Sequence, residues 1–386
     1  MFDPQKCVEP TSVPFGWTAK SIDGRDKRWD RLRKKYALSD GHAEVISGSG
    51  FLSYVIRVVF TFHGTDERFS AILKVPTVQK IRDAKMFAGR DDVFENYLFK
   101  LHNQEILFYK EIAEKCDIFY FPKMYAYVLS DGKAGAHGRI LMEDVGDRGT
   151  LPDILQGLKY EQCAEAIKVL ARFHAFGYLH ATDDFLRQLR LCQTERKDEE
   201  RLQLSPAIFR LDPYFAENMT LLKRIEADYG KIMIDQHLHF GIPPVLTHGD
   251  FWGNNMFFEK NADGSSSDRV FTIFDWQCLR PDSGIPDVTK FLAVSASESV
   301  LREKIPNLLA LYYEEMKQSL KENGVVIPYD FENLNAMYEH AFPNDLLFSL
   351  MVLPALLQNV EDEKIIAGVV NRLKLNLEYV VKCMEK

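Results

Sequence analysis

An aspartate and an asparagine five positions apart, in the stretch LTHGDFWGNN, have the residue types that phosphoryl transfer requires. Asp250 and Asn255 follow a short apolar run, which predicts a loop after a strand. For phosphoryl transfer, the acceptor hydroxyl must point at the γ-phosphorus and metal ions must neutralise the developing charge. Asp250 can accept the hydroxyl proton, and Asn255 can bind a metal ion. The alternative is an ordinary turn, because Asn, Asp and Gly are common in turns.

A second aspartate supports the chemical interpretation. The β-branched and aromatic run FTIFDWQ predicts a strand that ends in Asp275, and the preceding NADGSSSD predicts a hairpin turn. This hairpin would set Asp275 beside Asn255. Two oxygen ligands, completed by ATP oxygens and water, suit Mg²⁺, which favours few carboxylates plus phosphate. Taken alone, an aspartate at a strand end is more often a turn former.

A lysine within an apolar strand and a glutamate on an apolar helix face each need a partner. Lys74 lies in the alternating run FSAILKV, which predicts a strand. Glu105, in LHNQEILFYKEI, shares its predicted helix face with Leu101, Phe108 and Ile112. An ion pair between Lys74 and Glu105 would satisfy both and hold the lysine against the α- and β-phosphates. The alternative is two surface side chains with solvated charges.

A glycine turn, SGSGF, precedes the strand that leads toward Lys74. Gly48 and Gly50 would let backbone N–H groups approach phosphates. The third glycine of a full phosphate loop is absent, so this turn supports the phosphate-binding interpretation without establishing it.

The elements that must position these residues change along the chain. The first half shows short strands separated by turns, and helical periodicity begins after Pro152. Strands first and helices later predict an α+β fold with an N-terminal lobe at residues 1–143 and a C-terminal lobe at 144–386. The longest apolar stretch, Leu346–Leu357, is too short to span a bilayer and predicts a buried C-terminal helix.

Composition limits the class of protein. Hydrophobic residues make up 46% and charged residues 27%, as in soluble globular proteins. The net charge of −8, with no long Lys/Arg block, argues against nucleic acid or an anionic membrane as the main partner. Six dispersed cysteines without a CxxC pair, and an N-terminus without a signal-peptide pattern, predict a cytoplasmic protein. Nothing indicates a coiled coil or a repeated interface, so a monomer is expected.

The order of these motifs resembles the protein-kinase-like superfamily. The motif HGD-x4-N resembles the catalytic-loop motif of the branch that contains aminoglycoside phosphotransferases and choline/ethanolamine kinases. The finer resemblance is to the CHK kinase-like and ecdysteroid-kinase-like families. It runs from about Ser47 to Asp287 in the stretches LKVPT, NQEILFYKEI, LMEDV, VLARFHA, LTHGDFWGNNMFF and FDWQ.

This resemblance implies a bilobal protein-kinase-like fold and a role for each matching residue. Asp250 would be the catalytic base, with Asn255 and Asp275 holding Mg²⁺. Lys74, braced by Glu105, would contact the phosphates of ATP.

The resemblance also implies supporting roles outside the reacting centre. Backbone groups of Glu143 to Val145 would line the adenine pocket as the hinge between the lobes. His248 would brace the catalytic loop, and Asp287 would be a structural aspartate beneath it. His174, on an apolar helix face, is expected to be a core histidine.

The activity that the resemblance implies is ATP- and Mg²⁺-dependent phosphorylation of a small-molecule hydroxyl. An ecdysteroid-like or other hydrophobic alcohol is the favoured acceptor by analogy. A choline/ethanolamine-type kinase and a catalytically weak kinase-like binding protein are the alternatives. A protein kinase is disfavoured, because FDWQ has Trp276 where protein kinases have Phe-Gly and no APE-like element follows.

Overall fold

The structure, a computed structural model, forms two compact units. The first unit comprises Met1–Lys115 and Phe121–Asp147, and the second comprises Cys116–Tyr120 and Arg148–Lys386. The first unit thus continues beyond the lobe boundary placed at residue 143 from the sequence. The described residues are 2–46, 52–77, 79, 91–131, 138–193, 204, 207–230 and 235–385.

The first unit contains a five-stranded antiparallel sheet of order β1-β2-β3-β5-β4. Alternation of apolar residues along β3 turns Phe69, Ala71 and Leu73 into the core. Pairing of β3 with both neighbours sets Lys74 opposite Val55 and Ile140, so its backbone is held in the middle of the sheet. The strands are β1 Leu38–Val45, β2 Ser53–Phe62, β3 Arg68–Pro76, β4 Met124–Val128 and β5 Arg139–Glu143.

Two short N-terminal helices pack on this sheet. Asp26 begins the second helix, because its carboxylate accepts the backbone N–H groups of Arg28 and Trp29. Trp29 is fully buried, with its ring 5.0 Å from that of Phe60 and 5.1 Å from that of Phe69. The helices are α1 Phe15–Ile22 and α2 Lys27–Lys35.

A longer helix of the first unit carries Glu105. The helix predicted for the stretch LHNQEILFYKEI is present, but it begins earlier, as α3 Asp91–Phe108. Its last part, Tyr109–Ala113, continues as a π-helical turn. Glu105 lies well within regular helix, so its side chain has a defined direction.

The second unit begins with short strands and continues with helices. One sheet has the order β6-β8-β9, and the other pairs β7 with β10. The hairpin predicted around residues 261–268 joins β8 to β9. The strands are β6 Gly149–Thr150, β7 Val245–Thr247, β8 Met256–Lys260, β9 Ser266–Ile273 and β10 Arg280–Asp282.

Helices make up most of the second unit. The apolar stretch Leu346–Leu357 falls at the end of the mainly buried helix α13, which contains Pro343 and Pro354. Most strands come in the first part of the chain and most helices in the second, and this order confirms the predicted α+β class. The helices are α4 Tyr160–His180, α5 Asp183–Gln193, α6 Ile208–Leu211, α7 Pro213–Glu217, α8 Met219–Tyr229, α9 Gln236–His239, α10 Ile285–Ser295, α11 Glu298–Glu303, α12 Ile305–Glu322, α13 Phe331–Leu356 and α14 Glu363–Met384. In the part of the chain that the structure describes, none of the helices has the length and apolar character needed to cross a membrane.

Candidate active site

The loop after β7 carries Asp250 and is fixed from below by Asp287. The two carboxylate oxygens of Asp287 accept the backbone N–H groups of His248 at 2.7 Å and Gly249 at 2.8 Å. Gly249 has φ +80°, and a Cβ atom there would lie 2.1 Å from the carbonyl oxygen of Cys278. Only glycine fits this conformation and this close approach. The loop is therefore held at the residue just before Asp250.

Asp287 is itself held ionised inside the protein. Burial by itself raises its pKa, but the hydrogen bond from His174 and the charges around it hold the pKa below its ordinary value. His174 Nε2 lies 3.3 Å from Asp287 Oδ2, and its Nδ1 lies 2.7 Å from the Tyr312 hydroxyl. His174 is fully buried, as expected of a core histidine. It positions Asp287, which in turn holds the loop that carries Asp250.

His248 braces the same loop as a neutral imidazole. Its Nε2 lies 3.0 Å from the carbonyl oxygen of Phe274, and its Nδ1 accepts the backbone N–H of Asp250 at 3.2 Å. Burial lowers the pKa of His248, which favours the neutral form that this bonding pattern needs. These contacts tie the Asp250 loop to the segment after β9.

The carboxylate of Asp250 is partly exposed and receives three side-chain donors. Asn255 Nδ2 donates to Oδ2 at 3.0 Å, and Trp252 Nε1 donates to the same oxygen at 3.3 Å. Lys290 Nζ lies 3.2 Å from Oδ1. The side chain keeps 24% of its surface exposed. Asp250 is thus oriented and remains accessible to another molecule.

The hairpin brings the two candidate metal ligands to neighbouring backbone positions. Met256 and Ile273 pair across β8 and β9, and the N–H of Phe274 donates to the carbonyl oxygen of Asn255 at 3.0 Å. Asp275 follows directly, so the predicted juxtaposition with Asn255 is present. The strand ends at Ile273, however, and not at Asp275 as predicted.

Asp275 has a left-handed backbone conformation, with φ 66° and ψ 53°. A residue with a Cβ atom is rarely found there, and such strain often occurs at functional sites. One carboxylate oxygen accepts Gln277 Nε2 at 3.2 Å. An amide oxygen and a carboxylate, which Asn255 and Asp275 offer, are the kinds of oxygen ligand that Mg²⁺ prefers. No cluster of three or more His, Cys, Asp or Glu side chains that could hold a metal ion occurs among the described residues.

In the first unit, Lys74 and Glu105 form the predicted ion pair. Lys74 Nζ and Glu105 Oε2 are 2.5 Å apart, and their side chains are 10% and 1% exposed. His102, one turn before Glu105 on the helix, is neutral at physiological pH. Burial lowers its pKa to about 4, and the positive charge of Lys74 acts in the same direction.

The end of β5 and the segment that follows it carry the two predicted adenine-lining residues, Glu143 and Val145. The N–H of Glu143 donates to the carbonyl oxygen of Lys123 at 2.8 Å, and Val145 is buried. Asp144 between them forms an ion pair with Arg57 of β2, with Nε and Oδ2 2.6 Å apart. This hydrogen bond helps to hold the pKa of Asp144 below its ordinary value against the opposing effect of burial. The segment is therefore anchored to the sheet. Gly48 and Gly50 lie outside the described residues.

Sequence reasoning missed Lys290 and assigned no role to Trp252, although both donate to Asp250. The signal for Lys290 was present in IPDVTKFLAV, where one lysine interrupts an apolar helix. The same signal identified Lys74. A lysine in an apolar run indicates only that a partner is needed, and the fold decides which one.

Comparison with known proteins supports phosphoryl-transfer chemistry for this chain at the level of the family. The model of the ecdysteroid kinase-like family matches residues 47–325. The chain belongs to this family. The resemblance inferred from HGD-x4-N, FWGNN and FDWQ is thereby confirmed, and kinase-like phosphotransfer is the chemistry that the family description supports.

Two further similarities are more limited. The chain is 25% identical over 292 residues to the uncharacterized oxidoreductase dhs-27 of Caenorhabditis elegans, covering 71% of this chain and 35% of that protein. The match thus spans about a third of the length of this curated relative. A choline/ethanolamine kinase family protein from Mesorhizobium loti is similar over 92% of this chain and 98% of its own, with 13% identity and a TM-score of 0.31. At that TM-score, the similarity carries no argument about fold or function.

Proposed function

We propose that this chain transfers the γ-phosphate of Mg·ATP to a hydroxyl group of a small molecule. The observation that carries the proposal is the orientation of Asp250, whose carboxylate is held by three donors and remains partly exposed. Phosphoryl transfer depends mostly on positioning and on charge neutralisation. An aspartate held in this way meets the first requirement.

The other requirements have candidate residues as well. Lys74, held by Glu105, would contact the phosphates of ATP through its ammonium group. Asn255 and Asp275 would bind Mg²⁺, which supplies positive charge to the phosphate oxygens. Backbone groups of Glu143 and Val145 would bind the adenine ring.

A neutral alcohol is the acceptor that the surroundings of Asp250 favour. The ammonium nitrogen of Lys290 lies 3.2 Å from Asp250 Oδ1 and 4.2 Å from the ring centre of Phe348. A quaternary ammonium acceptor would need an aromatic face and a free negative charge. Near Asp250 it would instead meet a like charge. We therefore propose an ecdysteroid-like or other hydrophobic alcohol over choline or ethanolamine.

The test is acceptor-dependent ADP release from Mg·ATP. The panel contains steroid alcohols, choline, ethanolamine, aminoglycosides, a generic protein, and 3,3-dimethylbutanol, the neutral isostere of choline. Wild-type turnover with a neutral alcohol is expected, and Asp250→Asn should reduce it about 10²- to 10⁴-fold. The matched control is Asp263→Asn, because Asp263 lies exposed in the β8–β9 turn.

Other outcomes would point to other functions. Turnover with choline in preference to 3,3-dimethylbutanol would contradict the proposed acceptor class. Binding of Mg·ATP without turnover in the presence of any acceptor would favour a kinase-like binding protein. Phosphorylation of the generic protein would favour a protein kinase.

A further inference from the structure

Hydrogen bonding to Asp250 distinguishes its two carboxylate oxygens. A carboxylate offers about four acceptor positions, two on each oxygen. Among the residues that the structure describes, Oδ2 receives Asn255 Nδ2 and Trp252 Nε1, which fill its two positions. Oδ1 receives Lys290 Nζ alone. One acceptor position therefore remains on Oδ1, beside the ammonium group of Lys290.

The ammonium group of Lys290 is held in one place. It has three N–H donors and lies 3.2 Å from Asp250 Oδ1 and 3.3 Å from the carbonyl oxygen of Gly249. Its third side lies over the ring of Phe348, with Nζ 4.2 Å from the ring centre. The Lys290 side chain is only 16% exposed. A long flexible side chain is thus restrained at its charged end.

Helix α10 holds the loop through two residues on one face. Asp287 and Lys290 are three positions apart and therefore neighbours on the helix surface. Asp287 accepts the backbone N–H groups of His248 and Gly249. Lys290 contacts the next two groups along the chain, the Gly249 carbonyl oxygen and the Asp250 carboxylate. The same helix thus fixes the backbone and the side chain of the proposed base.

We propose that Lys290 is a positioning residue that presents Asp250 Oδ1 to the acceptor hydroxyl. This inference rests on the proposed function. The hydroxyl donates its proton to Oδ1 while its oxygen attacks the γ-phosphorus of ATP. The bond from that phosphorus to the bridging oxygen breaks, and its electron pair leaves with ADP. Without Lys290, the carboxylate is held only at Oδ2 and can twist about its Cβ–Cγ bond, so Oδ1 is no longer aligned with the acceptor.

The first test measures the orientation of Asp250 without any ligand. All four tryptophans of the chain lie within the described residues, and of their indole N–H groups only that of Trp252 donates to Asp250. In ¹⁵N-tryptophan-labelled protein, Trp252→Phe assigns this resonance by its disappearance. Lys290→Met should shift or broaden the Trp252 signal and leave the signals of Trp17 and Trp29 in place. Lys290→Arg should restore the wild-type position, because arginine keeps the charge and the donors.

The second test separates positioning from binding. With the acceptor found by ADP release, Lys290→Met should lower kcat about 10²-fold, as expected for a misplaced reacting group, and leave the KM for ATP unchanged. Lys290→Arg should recover most of this loss. The matched control is Lys317→Met, since Lys317 is an exposed lysine of α12 that lies over Tyr313.

The outcomes distinguish this inference from the proposed function. An unchanged Trp252 resonance in a folded Lys290→Met protein would overturn the inference whatever the activity. A shifted resonance with unchanged kcat would overturn it as well. Shifts of all four indole signals with a lowered melting temperature would show a purely structural role and overturn it. If wild-type protein turns over no acceptor, the proposed function and the assigned role fail together, while the resonance still reports whether Lys290 orients Asp250.

Discussion

The carboxylate of Asp287 accepts the backbone N–H of Gly249 at 2.8 Å, and this hydrogen bond joins helix α10 to the loop that carries Asp250. The contact needs the left-handed conformation of Gly249, with φ +80°. It also needs an ionised Asp287, which the surrounding hydrogen bonds maintain despite complete burial. The position of Asp250, the proposed base, therefore depends on the conformation of Gly249 and on the buried carboxylate of Asp287.

Gly249→Ala should destabilise the protein strongly and abolish turnover. The new Cβ atom would combine left-handed strain with a contact to the Cys278 carbonyl oxygen 2.1 Å away. Gly241→Ala is the matched control, because Gly241 has φ +63° and open space around it. The control should cost only the strain, about 1–2 kcal/mol. Urea unfolding of both variants measures the difference. Equal losses of stability would show that the close approach at Gly249 is unimportant.

Glu105→Gln should destabilise the first unit by about 3 kcal/mol, because it removes the carboxylate that neutralises the buried Lys74 charge. It should also weaken Mg·ATP binding, measured by calorimetry. Glu111→Gln is the matched control on the following π-helical turn, since Glu111 forms an exposed pair with Lys115. That pair is worth less than about 1 kcal/mol. A Glu105→Gln protein as stable as the control would contradict the structural importance of the buried pair.

Asp275→Asn should raise the Mg²⁺ concentration needed for half-maximal ADP release. The substitution removes the negative charge from the proposed metal ligand and leaves its size nearly unchanged. Chelation of Mg²⁺ should abolish turnover in the wild type. Titration of MgCl₂ at fixed ATP measures the effect, and Asp263→Asn in the exposed turn is the control. Identical Mg²⁺ dependence in Asp275→Asn and wild type would exclude Asp275 as a ligand.

Asp345 should make stability depend on pH in the mildly acidic range. Burial raises its pKa to about 6, although Lys290, Thr289 and Arg280 oppose this effect, while Asp287 adds to it. Since the folded state then binds the proton more tightly than the unfolded state, ionisation destabilises the fold. From about pH 4 to pH 6, wild-type stability should fall relative to Asp345→Asn, by at most about 1.4 kcal/mol per pH unit.

The measurement for Asp345 is urea unfolding of both proteins at pH 4, 5, 6 and 7. The difference in unfolding free energy should change between pH 4 and pH 6 and level off above. A difference that is constant with pH would mean that Asp345 titrates near its ordinary value. Loss of the Thr289 hydrogen bond to Asp345 in Thr289→Val should move the transition to higher pH.

Pairs predicted from local pattern are adjacent in the structure. Asn255 and Asp275 lie at neighbouring backbone positions because a short hairpin joins β8, which begins just after Asn255, to β9, which ends two residues before Asp275. Hairpin pairing follows from turn composition and strand periodicity. Lys74 and Glu105 meet although 31 residues separate them. In both pairs, a local pattern in the sequence marked each residue. For Asn255 and Asp275 the pattern was an oxygen ligand beside a turn, and for Lys74 and Glu105 it was a charge within an apolar run.

Other contacts depend on packing that no local pattern specifies. Arg57 meets Asp144 across 87 residues, and Lys290 meets Asp250 across 40. The left-handed conformation of Asp275 is equally absent from the sequence pattern, which predicts a strand there. Each of these features follows from how neighbouring elements pack. In β2, for example, a change of one residue in register would turn the Arg57 side chain to the other face of the sheet.

The sequence by itself determined the α+β class, the family, and the residue types available for phosphoryl transfer, because composition, periodicity and motif spacing are local properties. Tertiary structure decided how those residues are held. The packing of α10 beneath the loop brings Asp287 and Lys290 to Asp250, and the helix and loop are distant in the chain. Side chains from distant segments meet only when the core has formed, since burial of apolar surface, and not sequence proximity, drives their approach.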